Sequence, residues 1–143
     1  RQMCIRDRIY EAKTIGASAV LLICSLLDTD TIRRWIKLCD SLGLSALVEA
    51  HIADEVYSAI AAGARVIGVN NRNLRDFTVD INNCTKLRKL VPDNIIFVAE
   101  SGIKTRDDIK VLENAGVNAV LIGETLMRNP DKKAALDELS GRK

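Results

Sequence analysis

Aromatic side chains are scarce in this sequence, at 3% of 143 residues, and the net charge is only +2. Nucleic-acid binding needs a basic footprint and, for single strands, rings on which bases can stack. The sequence supplies neither, so no nucleic-acid partner is expected. Histidine is scarcer still: His51 is the only one. The four cysteines are Cys4, Cys24, Cys39 and Cys84, and no two of them form a Cys-x-x-Cys pair. A zinc site needs three or four clustered ligands. That spacing is missing, and no metal is expected. The thiols read as reduced and mostly buried, in a cytoplasmic protein.

Long apolar runs are lacking too. The longest, residues 15–27, contains Ser18 and Ser25 and is too short to span a bilayer. It ends in Asp28-Thr29-Asp30, a helix start rather than a membrane flank. No membrane span, secretory signal, linker or low-complexity tract is expected. What remains is ordinary for a soluble globular domain: 28% charged and 48% apolar residues, in a chain long enough for one core.

The informative stretch is Val66-Ile67-Gly68-Val69-Asn70-Asn71-Arg72-Asn73-Leu74. A short apolar run stops abruptly in amides and a guanidinium, the pattern of a buried parallel strand with a polar end. Three other apolar runs end similarly, in Glu49, in Glu100-Ser101-Gly102 and in Gly123-Glu124. Between them lie helical patterns closed by glycine. The spacing predicts strands over 19–24, 46–50, 66–69, 95–99 and 119–122. Helices are predicted to end near Ile15 and to run over about 29–42, 53–62, 81–90, 105–115 and 132–139. Thr105 and Asp108 form a candidate capping box. Trp35, Ile36 and Cys39 read as core, and Lys86, Arg88 and Lys89 as a solvated helix face. Residues 1–8 fit no element. They read as a frayed end, or as a foreign segment of the kind a translated sequencing adapter leaves, ahead of one domain over 9–143.

A repeating helix–strand unit implies an α/β fold with a parallel sheet. A doubly wound sheet and an eightfold barrel compete. The absence of Gly-x-Gly-x-x-Gly after any strand weighs against dinucleotide binding. Polar residues at successive strand ends favour the barrel, where several strands build the site at one face. Five strands cannot close it, so the fold class expected is a (β/α)8 TIM-barrel fragment of about five βα units.

Glu49 and Glu100, on different strands at equivalent depth, would converge as an acid/base pair; alternatively, each caps a helix or pairs with a base. Asn70 could orient a substrate oxygen or a carboxylate, and Arg72 offers a fork for a carboxylate or phosphate, unless the run is a polar turn. Gly102 and Gly123 would let backbone N–H groups approach a phosphate, or else merely serve tight turns. His51 reads as a capping or surface residue.

Leu47-Val48-Glu49-Ala50-His51, Ile67 to Leu74, Ala99-Glu100-Ser101-Gly102-Ile103 and Leu121 to Arg128 together resemble indole-3-glycerol phosphate synthase, a (β/α)8 barrel of tryptophan biosynthesis. The resemblance runs from Ile9 onward and implies strands four to eight of that barrel. It also implies a reaction: closure of the indole ring of 1-(2-carboxyphenylamino)-1-deoxyribulose 5-phosphate, with loss of carbon dioxide and water and without cofactor. By motif, Glu49, Asn70 and Glu100 match catalytic positions. Arg72 and Ser101 match substrate contacts, and Leu21 or Leu22 would form the apolar wall. Gly102, Gly123 and Glu124 match the phosphate-binding backbone. The strand-one Glu-x-Lys-x-x-Ser-Pro-Ser motif and the strand-three lysine of the family are absent, so these residues alone are expected to be inactive. Rival readings are another phosphate-binding barrel, such as phosphoribosylanthranilate isomerase, and a non-catalytic phosphate-binding module.

Overall fold

Each of the first five helices is followed by a strand. The computed structural model describes residues 5–73 and 77–142; residues 1–4 with Cys4, 74–76 with Leu74, and 143 lie outside that description. The chain runs α1 (Ile5–Thr14), β1 (Ala19–Ile23), α2 (Thr29–Ser41), β2 (Ser45–Ala50), α3 (Ala53–Ala62) and β3 (Val66–Asn70). It continues through α4 (Asn82–Arg88), β4 (Ile96–Glu100), α5 (Arg106–Asn114), β5 (Ala119–Leu121), α6 (Glu124–Arg128) and α7 (Lys132–Ser140). A single 3-10 turn, Cys24–Leu26, follows β1.

Asp28 caps α2 by accepting from the Thr31 amide. Thr105 and Asp108 form the reciprocal capping box that the sequence predicts for α5, satisfying two amides that the helix leaves unpaired. Gly63 closes α3 in the left-handed conformation, φ 87°, which costs glycine nothing. α1 begins at Ile5, so residues 5–8, read from sequence as frayed or foreign, are helical. α6 was not expected from the sequence.

All five strands are parallel and pair in chain order, β1-β2-β3-β4-β5. A doubly wound sheet reverses its order at a switch point. This sheet never reverses, so it winds one way, as a barrel wall does. The register separates two faces. On one, Val48, Ala50, Ile67, Val69, Phe97 and Ala99 are wholly excluded from solvent among the helices. On the other lie Leu21, Leu47, Glu49, Gly68, Asn70, Val98, Glu100 and Leu121. This second face is only partly covered: Leu21 is 48% exposed, Ile96 50% and Leu121 50%. It is the concave face of an unclosed wall.

Two sequence readings change. Ile36 and Cys39 are core, but Trp35 packs only at the core's edge. Arg88 is buried rather than solvated, while Lys86 and Lys89 are exposed. Its guanidinium donates to the carbonyls of Gly116 at 2.8 Å and Val91 at 2.6 Å, pairs with Asp93, and sits 5.8 Å from the Phe97 ring centre. The aliphatic stem packs inside while the charge finds oxygen partners.

Candidate active site at the strand ends

Parallel strands that end together must deliver their last residues to one rim. β2 ends just past Glu49, β3 at Asn70 and β4 at Glu100. The ladder pairs Glu49 with Gly68 and Asn70 with Glu100, so the two glutamates are staggered by one layer instead of level. Gly68 is what lets them meet. A Cβ at that position would stand 1.9 Å from Glu100 Oε1. The missing side chain is therefore a slot filled by the Glu100 carboxyl, the close approach that a glycine inside a strand signals.

Both glutamates are 5% exposed. Asn70 Nδ2 donates to Glu49 Oε1 at 3.3 Å, and Asn70 Oδ1 accepts from the Arg72 amide at 2.9 Å. Asn70 thus ties the Glu49 carboxyl to the loop that carries Arg72. Glu100 Oε1 is buried and has no hydrogen-bond partner among the described residues. Burial, then the charge of Glu49 and a hydrogen bond with it, push the Glu100 carboxyl up from its ordinary 4.5 to about 7. The pair can hold one proton near neutral pH, a usable acid/base arrangement.

A cavity of about 750 Å³ opens beside this pair, lined among others by Arg72, Ser101, Gly102, Gly123 and Glu124. Arg72 also lines a neighbouring cavity of about 560 Å³ with Asn70 and His51. The predicted anion-binding residues therefore share one hollow, and Arg72 joins it to the carboxyl pair. Glu49 and Glu100 themselves lie buried beside these hollows. Arg72 Nη2 lies 3.0 Å from Glu124 Oε2, and Arg128 Nε lies 3.0 Å from Glu124 Oε1. Glu124 thus holds the Arg72 fork.

Ser101 and Gly102 both have positive φ, 66° and 77°. For serine that conformation is costly and is kept only where the surroundings impose it. A Cβ at Gly102 would stand 2.2 Å from Val79 Cγ1, so glycine is needed there. At Gly123 a Cβ would meet nothing within 4 Å, so the space over its backbone is open.

Leu21 lies on the concave face, whereas Leu22 is 3% exposed within the core. Of the two, only Leu21 is placed to meet a ligand. Sequence reasoning reads Asn71 only as a turn residue. It is 3% exposed, donates to the Ser101 carbonyl at 3.1 Å and accepts from the Cys84 amide at 3.1 Å. It staples the two site loops to α4. Nothing distinguishes it from Asn70 and Asn73 before the fold is known. Cys24, Cys39 and Cys84 are free and buried. Burial pushes the Cys24 and Cys84 thiols up to about 12, leaving them protonated and unreactive. No group of three or more His, Cys, Asp or Glu side chains among the described residues could hold a metal.

Solved structures with a similar fold include 3-hexulose-6-phosphate synthase from Salmonella typhimurium. It matches with TM-score 0.76 and 18% identity, over 92% of this chain and 65% of that one. Thiamine phosphate pyrophosphorylase from Pyrococcus furiosus matches with TM-score 0.74 and 22% identity, over 94% of this chain and 63% of that one. These likenesses show the barrel-type fold. Among curated relatives, the indole-3-glycerol phosphate synthase of Ruminiclostridium cellulolyticum is 61% identical over 134 residues, 94% of this chain and 52% of its own length. That of Lachnoclostridium phytofermentans is 56% identical over 92% of this chain and 49% of its own length. The chain spans about half the length of the curated relatives it matches. The family model for indole-3-glycerol phosphate synthase matches residues 3–139. The chain belongs to the indole-3-glycerol phosphate synthase family.

Proposed function

We propose that this chain carries the acid/base and anion-binding half of an indole-3-glycerol phosphate synthase site. The reaction would close the indole ring of 1-(2-carboxyphenylamino)-1-deoxyribulose 5-phosphate and release carbon dioxide and water. The observation that carries this reading is the meeting of Glu49, Asn70 and Glu100 beside a hollow lined by Arg72, Gly102 and Gly123. Ring closure needs an acid at the ketone oxygen and dehydration needs a base. Glu100, raised to about 7, can give a proton at neutral pH. Glu49, held by Asn70, can take one. Arg72 would leave Glu124 for the substrate carboxylate, a planar fork meeting a planar anion. Amides of Gly102, Gly123 and Glu124 would hold the phosphate, with Ser101 beside them, and Leu21 would back the aromatic ring.

The family's strand-three lysine has no counterpart in these residues. The unpaired Glu100 Oε1 fits an ammonium group reaching in from across the barrel. The chain alone is therefore inactive, and activity appears when it is joined to the N-terminal half of a relative. The test is turnover of the carboxyphenylamino substrate by the chain alone and by the two halves together, followed by indole fluorescence. Turnover by the chain alone refutes the division of labour. Turnover of phosphoribosylanthranilate instead, or none by a folded two-piece barrel, refutes the reaction.

A further inference from the structure

His51 is the only histidine in the chain, and it is not placed like a surface or capping residue. Its side chain is 15% exposed, and both ring nitrogens are buried without a hydrogen bond among the described residues. Each nitrogen faces a carboxylate. Nε2 lies 3.3 Å from Glu49 Oε1, and Nδ1 lies 3.4 Å from Glu55 Oε2. The backbone is pinned as well: the His51 amide donates to Glu55 Oε2 at 2.6 Å, and its carbonyl accepts from Asn83 Nδ2 at 3.1 Å. Glu55 stands in the first turn of α3, which has no side-chain cap of its own. Capping explains the bond to the backbone amide. It does not explain a ring set between two carboxylates.

A neutral imidazole has one N–H and therefore one donor. With a carboxylate oxygen opposite each nitrogen, both contacts are favourable only if the ring or one carboxyl carries a further proton. Glu55, on the other side of the ring from Glu49, stands where a carboxylate stands to orient a catalytic imidazole. We propose that His51 is a positioning residue for Glu49: anchored by Glu55, it presents Nε2 as a donor to Glu49 Oε1 and, with Asn70, sets how that carboxylate faces Glu100. This deepens the acid/base reading above and rests on it for its catalytic meaning. The other charged or titratable groups facing this cluster are Glu100 on β4, Cys24 in the 3-10 turn, and Arg72 and Asp80 in the loop after β3.

The experiment follows the Glu100 carboxyl carbon by ¹³C NMR titration in the chain itself, in wild type, His51→Ala, His51→Gln and Glu55→Gln. A donor to the carboxylate pair favours its ionised form, so removing the donor makes the pair hold its proton more tightly. The Glu100 midpoint, about 7 in wild type, then rises by roughly half a unit or more in His51→Ala. The amide of His51→Gln restores part of that rise, and Glu55→Gln gives a smaller rise in the same direction. A purely structural role would alter the melting curve and leave the midpoint alone. An unmoved midpoint in folded His51→Ala overturns the proposal. If that variant does not fold, an unmoved midpoint in Glu55→Gln overturns it equally. No turnover is involved: a moved midpoint with no ring closure in the two-piece barrel keeps the role of His51 and discards the reaction, and the opposite pair of results does the reverse.

Discussion

Glu100 is destabilising where it stands. A carboxyl that is protonated up to about 7 in the folded chain, and ordinary at 4.5 when unfolded, binds more protons folded than unfolded between those values. Stability from this group is therefore lost as pH rises through that window, and the loss is complete above about 7. Glu100→Gln keeps the shape and can donate to Glu49. It should raise stability at pH 8 by roughly 1–3 kcal/mol and change little at pH 4, as read by urea unfolding at both pH values. A variant no more stable than wild type at pH 8 would show that burial does not strain this carboxyl. Gly68 is the complementary position. Gly68→Ala should expel Glu100 from its slot and cost about 1–3 kcal/mol as overpacking. The Glu100 titration should then return toward the ordinary carboxylate range. An unchanged midpoint in that variant would mean the slot is not what holds the carboxyl.

At the scale of elements, the sequence made most of the wall legible. Glycine stops, the Thr105 capping box and β-branched runs are local signals, and they place the five strands to within a residue or two. What stayed illegible depends on distant partners. Arg88 lies in a basic stretch that reads as a solvated face, and only the carbonyls of Val91 and Gly116 and the Phe97 ring make it a buried strut between α4, the end of α5 and β4. Arg88→Ala should therefore cost about 2–4 kcal/mol, far more than a surface substitution, because the buried Val91 carbonyl and the part-buried Gly116 carbonyl lose their donor. Lys89→Ala, its exposed neighbour, should cost within about 0.5 kcal/mol. Equal effects would contradict the burial of Arg88. The site residues divide the same way. Glu49, Asn70 and Glu100 lie at strand ends and Arg72 two residues past one, and spacing exposes all four. The slot at Gly68, the staple at Asn71 and the ring of His51 emerge only once β2, β3, β4 and α3 are packed. The stagger of Glu49 and Glu100 belongs to the register, which spacing within one strand cannot reveal.

At the scale of the whole molecule, the wall is finished outside and open inside. Its helix-covered face is a continuous core, while Leu21, Ile96 and Leu121 on the concave face remain about half exposed. β1 and β5 each pair on one side only among the described residues. Such edges and apolar surface favour association. The thermal midpoint of the chain should rise when the N-terminal half of a relative is added, by more than with an unrelated protein of equal concentration. No rise, with the two halves remaining separate on gel filtration, would contradict a shared barrel. The chemistry proposed for that barrel depends on β2 and β4 bringing two carboxyl groups into one dry place. Titration of the Glu100 carboxyl carbon by ¹³C NMR measures this directly. The midpoint should lie near 7 in wild type and fall in Glu49→Gln, where the neighbouring charge is gone. A wild-type midpoint in the ordinary range near 4.5, unmoved by Glu49→Gln, would contradict it.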